Sequence, residues 1–105
     1  MVDYGKTIIY MIRCNDTTVN DVYIGYTASY KRRMSVHKRC AVNPLNRDYN
    51  MRMYNVIRSY GGCNNWRIEI IETAECSTKL DGLEIEQKWI NRLNPSLNTN
   101  GQTNN

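Results

Sequence analysis

Two short runs rich in β-branched and aromatic residues lie close together near the start of the chain: KTIIYMIR at 6–13 and VYIGYT at 22–27. Between them lies a cluster of turn formers, NDTTVND at 15–21. Runs of this composition read as strands, and a polar loop of that length joins them as a hairpin. Gly25 inside the second run is unusual. It packs no side chain and costs backbone entropy, which points to close approach of a ligand or another backbone.

The remaining elements follow from helix stop and start signals. Ser29 is placed as the N-cap of a helix running to about residue 42, ended by Asn43-Pro44. A second helix is expected over 48–60, with Met53, Val56, Ile57 and Tyr60 at helical spacing and Gly61-Gly62 as its stop. WRIEIIE at 66–72 reads as a third strand. Ser77 or Thr78 opens a last helix to Leu93, and Pro95 ends it. The order β-β-α-α-β-α makes an α+β fold with helices flanking one small antiparallel sheet. With 105 residues, the expectation is a single domain over 1–98 and a polar, flexible tail over 99–105.

No apolar run approaches the roughly 18–20 residues that a membrane span requires. The opening MVDYGKTIIYMIRC has no basic segment or small-residue cleavage site. The expectation is an intracellular protein, cytoplasmic or nuclear, and not a secreted one. Cys14, Cys40, Cys63 and Cys76 are widely spaced, and there is one histidine, so neither a zinc site nor a disulfide framework is expected. Charge is uneven. Residues 1–67 hold 11 Lys/Arg against 4 Asp/Glu, and residues 68–105 hold 3 against 6. Five of the 14 basic residues fall between Lys31 and Arg39. A basic part joined to an acidic part suggests a polyanion partner plus a carboxylate with separate work.

Helical periodicity sharpens that suggestion. In the first helix Arg33 and His37 lie one turn apart on the same face as Tyr30, Met34, Val36, Cys40 and Ala41. Lys31, Ser35 and Lys38 lie on the far side. An arginine on an apolar face is costly unless it is paired or snorkels out to water. In the last helix Glu84, Asp81, Lys88 and Arg92 share one face, while Glu86 falls between the core positions Leu83 and Ile90. An inward carboxylate needs a cation, either an arginine such as Arg33 or a metal ion.

At these residues the chain resembles a GIY-YIG nuclease domain. Ile8-Ile9-Tyr10 and Tyr23-Ile24-Gly25 match its two tripeptides, and Arg33, His37, Glu86 and Asn98 complete an ordered set over about residues 6–98. The resemblance implies a three-stranded antiparallel sheet and hydrolysis of DNA phosphodiesters with one divalent ion, Mg²⁺ or Mn²⁺. It implies Tyr10, Tyr23, Arg33, His37, Glu86 and Asn98 as the catalytic set, with Glu86 as the metal ligand. Tyr10 would take a proton from the attacking water, with Tyr23 across the hairpin from it. Arg33 would hold the phosphate and its developing charge. His37 would position a proton or phosphate oxygen, and Asn98, or Asn100 in its place, would tie the chain end to the site. Gly25 would give the backbone room beside the substrate, and Lys31, Arg32, Lys38 and Arg39 would contact DNA.

Two departures stand out. The first tripeptide lacks its glycine, and where relatives often carry a lysine beside the second motif this chain has Asp21 and Tyr26. An inactive nucleic-acid-binding module of the same fold is the alternative. A protein-interaction domain using the Tyr and Met surface is a third reading. Oligomeric state and sequence preference are not legible.

Overall fold

In the hairpin, β1 (Thr7–Cys14) pairs antiparallel with β2 (Val22–Thr27), as the polar loop between them dictates. The computed structural model describes residues 2–98. β3 (Trp66–Ala74) adds to the other side of β1, giving the sheet order β2-β1-β3 with both pairings antiparallel. A register shift between Ile9 and Tyr10 marks a bulge in the β1–β3 pairing. Between these strands run α1 (Tyr30–Val42) and α2 (Arg52–Ser59), and α3 (Lys79–Leu93) follows β3. The β-β-α-α-β-α order is the one expected. The expected tail over 99–105, and Asn100 with it, lies outside the described residues.

Alternation along β1 divides the molecule into two faces. Tyr10, Ile12 and Cys14 join Cys40 and Ala41 of α1, Met53, Tyr54 and Ile57 of α2, Trp66 and Leu97 in one buried cluster. Ile9 and Ile24 are also fully buried and point to the opposite face. There α3 packs on β2 and β1. Arg58 ties the first face together: its guanidinium donates to the carbonyls of Ala41 and Tyr49 and lies 3.6 Å from the centre of the Tyr49 ring. Cys14, Cys40, Cys63 and Cys76 are all free thiols, the first two buried.

Several element boundaries and faces differ from expectation. α2 begins at Arg52 rather than 48, because residues 46–51 close successive tight turns before a helix can start. Tyr60 is 46% exposed and lies off the apolar stripe, which runs instead through Met53, Tyr54 and Ile57. Ser29 occupies the N-cap of α1, but its side chain makes no cap hydrogen bond. Thr78 does cap α3, in a reciprocal capping box with Asp81. The inward line of α3 runs through Gly82, not Leu83. A Cβ at Gly82 would overlap the Tyr26 ring, so the helix approaches β2 there and leaves Leu83 at the exposed margin.

Candidate active site

The hairpin register sets Tyr10 opposite Gly25 and Tyr23 opposite Ile12. Tyr10 and Tyr23 are therefore diagonal neighbours on one face, not direct partners, with ring centres 6.2 Å apart. Gly25 is buried, and a methyl group there would overlap Cζ and Oη of Tyr10. The close approach read from this glycine is real, but its partner is the Tyr10 ring. That contact is with a side chain of the paired strand rather than with another backbone.

Tyr10 is fully buried. Its hydroxyl lies 2.6 Å from Nε2 of His37, and Nδ1 of the same imidazole lies 2.8 Å from the hydroxyl of Tyr54. His37 is thus held between two phenols, with its ring edge-on to those of Tyr10 and Tyr23. Burial first, and the nearby Arg33 cation second, push His37 down from 6.5 to about 4. At neutral pH the imidazole is uncharged, with one N–H and one lone pair to offer. Burial likewise raises Tyr10, Tyr23 and Tyr54 above the ordinary phenol value, so all three keep their protons. Tyr10 has no exposed surface in the substrate-free fold. Tyr23 keeps part of its surface exposed, and its phenol group is desolvated and hydrogen-bonded to that of Tyr10.

The other half of the site is open. Arg33 is exposed, a correction to its placement on the inward arc of α1. The buried arc centres on His37, Cys40 and Ala41, and Arg33 stands one turn before it. Glu86 is half-buried on α3, as the helical periodicity indicated. Its pKa is raised by burial and drawn back by Arg33. The two are within electrostatic reach, yet among the described residues neither side chain makes an ion pair or a hydrogen bond. The structural Arg33–Glu86 pair that the sequence left open is not formed. Glu86 also lies within electrostatic reach of Tyr23 and, more weakly, of Tyr10.

Among the described residues no three His, Cys, Asp or Glu side chains converge as a metal cage. A lone half-buried carboxylate without a protein partner suits a hard cation that retains most of its water, as Mg²⁺ does. The donor set therefore fits one such ion held through Glu86.

Asn98 clamps the free edge of β2: its Oδ1 accepts from the Ile24 N–H and its Nδ2 donates to the Ile24 carbonyl, both at 2.7 Å. Ser96 continues the clamp, donating its hydroxyl to Asp21 at 2.8 Å. Asp21 thereby has a structural partner, and Tyr26 has one in Gly82. Lys31, Arg32, Lys38 and Arg39 are all exposed. Arg32 joins Arg33 in an open cleft of about 260 Å³ with Thr27, Ser29 and Val36. Lys38 lies away from it, beside an apolar pocket lined by His37, Ile57 and Trp66. The basic segment therefore borders two separate recesses. Tyr54 was missed by the sequence reading. The signal available was a phenol on the buried stripe of α2, where a hydroxyl needs a partner.

The fold is similar to the solved structure of the catalytic domain of homing endonuclease I-TevI. The TM-score is 0.68 at 24% identity, over 89% of this chain and 94% of that one. At that identity the likeness speaks to the fold. No curated protein matches the sequence. The family model of the GIY-YIG catalytic domain matches residues 6–100. With the two tripeptides paired across one hairpin and Arg33, His37 and Glu86 gathered around them, the chain belongs to the GIY-YIG nuclease family.

Proposed function

We propose that the protein is an endonuclease that hydrolyses DNA phosphodiester bonds at one active site, using a single divalent ion, Mg²⁺ or Mn²⁺. The observation that carries this reading is Glu86: a half-buried carboxylate, without a protein partner among the described residues, facing an exposed arginine and a buried phenol–imidazole pair. Leaving a carboxylate half-buried and unpaired is unfavourable for folding alone. Glu86 would hold the ion, which when bound supplies positive charge to the phosphate oxygens.

Arg33 presents a planar donor to the phosphate and offsets the charge that develops on it. It is exposed and so open to an approaching phosphate. Tyr23 faces the substrate, and Tyr10 and His37 stand behind it as a neutral pair that can pass a proton between Oη and Nε2. Asn98 holds the edge strand that carries Tyr23. Arg32 extends the basic cleft along the backbone of the nucleic acid, and contacts of that kind carry no base identity. Specificity is thus weak or based on DNA shape.

The test is incubation with supercoiled plasmid and with a branched duplex, with and without Mg²⁺, beside Glu86→Ala protein. Metal-dependent nicking lost in the variant is the expected result. Cleavage retained by folded Glu86→Ala protein would remove the metal role. Salt-sensitive binding without any product, across several metals, would establish the inactive binding module instead.

A further inference from the structure

The sheet has two edges, and the chain treats them differently. At the β2 edge the main chain of Ile24 is bonded twice by Asn98, and the Val22 N–H donates to the Ser96 hydroxyl at 3.3 Å. The β3 edge is open: among the described residues the main chain of 67–73 makes no hydrogen bond except to β1. Side chains repeat the contrast. Trp66, Ile68 and Ile70 pair with Cys14, Ile12 and Tyr10, so they share the face that α1 and α2 cover. That cover stops at β1. Ile12 and Tyr10 are buried, whereas Ile68 is 38% and Ile70 50% exposed. An open edge bordered by exposed isoleucines is a template for a further strand, and β3 contains neither proline nor lysine to block one.

We propose that a second copy of this chain pairs here, β3 against β3 antiparallel, about a two-fold axis at Ile68. The fold singles out that centre. The register shift leaves Ile71 without a partner on β1, so the regular part of β3 runs from Trp66 to Ile70, and Ile68 is its middle residue. Around this centre the sequence is complementary to itself. On one face Arg67 falls opposite Glu69 of the second copy, and Glu69 opposite its Arg67. Within each chain these two are already bridged at 2.8 Å, so pairing closes four alternating charges into one ring. On the other face Ile68 meets its own copy. Trp66 falls opposite Ile70 of the second copy, beside the apolar recess of about 220 Å³ that Met34, Trp66 and Ile68 help to line. An axis at Glu69 would set that carboxylate against itself, and an axis at Ile70 would run the pairing into the bulge.

The axis stands perpendicular to the sheet. Both copies therefore carry Tyr10 and Tyr23 on the same side of one six-stranded sheet. Under the endonuclease reading, on which only this consequence rests, the dimer presents two sites to one duplex and cuts both strands in one encounter.

Sedimentation equilibrium of the unaltered protein is expected to show monomer and dimer with a Kd in the micromolar range, as for a small interface. Ile68→Lys places like charges at the centre of the pairing and should weaken it about 10-fold or more, with an unchanged circular dichroism spectrum. The decisive arm uses two charge reversals. Arg67→Glu protein and Glu69→Arg protein should each repel their own copies, yet associate with each other when mixed, because every cross-chain pair is then opposite in sign. Both variants lose the bridge within the chain, so recovery on mixing reports the pairing between chains alone. A monomer at every concentration overturns the proposal and leaves the edge to a strand of another protein. So does association that Ile68→Lys leaves unchanged, or a mixture that associates no better than its components. On supercoiled plasmid the Ile68→Lys protein is expected to nick as the unaltered protein does and to form less linear product. A dimer that cuts nothing in any metal overturns the endonuclease reading instead, and leaves the pairing as measured.

Discussion

Tyr10 and Glu86 belong to one site and meet opposite surroundings. Tyr10 is sealed: fully buried, its ring filling the space that Gly25 leaves, its hydroxyl bonded to an imidazole that is bonded again behind. Glu86 is open: half-buried, raised by partial desolvation, and without a protein partner among the described residues. The sealed half satisfies its polar groups internally, so it contributes to stability as well as to chemistry. The open half leaves its charges unsatisfied, so it gains its partners from outside. Disturbing the first should change folding, and disturbing the second should change activity alone.

The largest effect that tests this contrast is Glu86→Gln. Cleavage is expected to fall by about 10²–10³-fold. Thermal melting should be unchanged or higher. A carboxylate whose folded pKa is raised weakens the fold as pH rises through that value, and glutamine abolishes the penalty. A clear drop in melting temperature would show Glu86 to be structural and erase the distinction between the halves.

Acidification probes the sealed half. His37 is held at about 4 against 6.5 when unfolded, so between those values the unfolded chain binds the extra proton. Stability is complete above the unfolded value and is lost as pH falls through the window. The loss is about 3 kcal/mol by pH 4, an order-of-magnitude figure. Urea titrations at pH 7 and pH 4, compared with His37→Gln protein, would isolate it. An equal acid loss in the variant would place the cause elsewhere.

Gly25→Ala forces a methyl group against Tyr10 and should cost about 2–3 kcal/mol in denaturant melts. A neutral result would mean that Tyr10 can move. Asn98→Ala removes both clamps on Ile24 and should cost about 1–2 kcal/mol, with faster amide exchange in β2 as its local signature. Unchanged exchange at Ile24 would show that the clamp is dispensable.

Periodicity and stop signals were enough to read the element order and to bring Arg33, His37 and Glu86 forward from among many charges. They record which residues share a side of one helix, and not how closely that helix approaches its neighbour. For that reason periodicity puts Arg33 on the inward arc although it is exposed, and puts Leu83 on a line that belongs to Gly82. Tyr54 was invisible for a related reason: its importance lies in a hydroxyl contact between two helices, and no pattern within either helix encodes it. The partner of Gly25 depends on the hairpin register, which the loop sets and the strand composition does not.

That register carries a consequence for the family signature itself. The tyrosine that closes the first tripeptide and the glycine that closes the second are a bolt and its socket, meeting across two hydrogen-bonded strands. In this register the volumes of the two residues are therefore constrained together. A larger residue at the socket is compatible only with a smaller one at the bolt, and a chain that changed both would keep its hairpin while losing the phenol at the centre of the site.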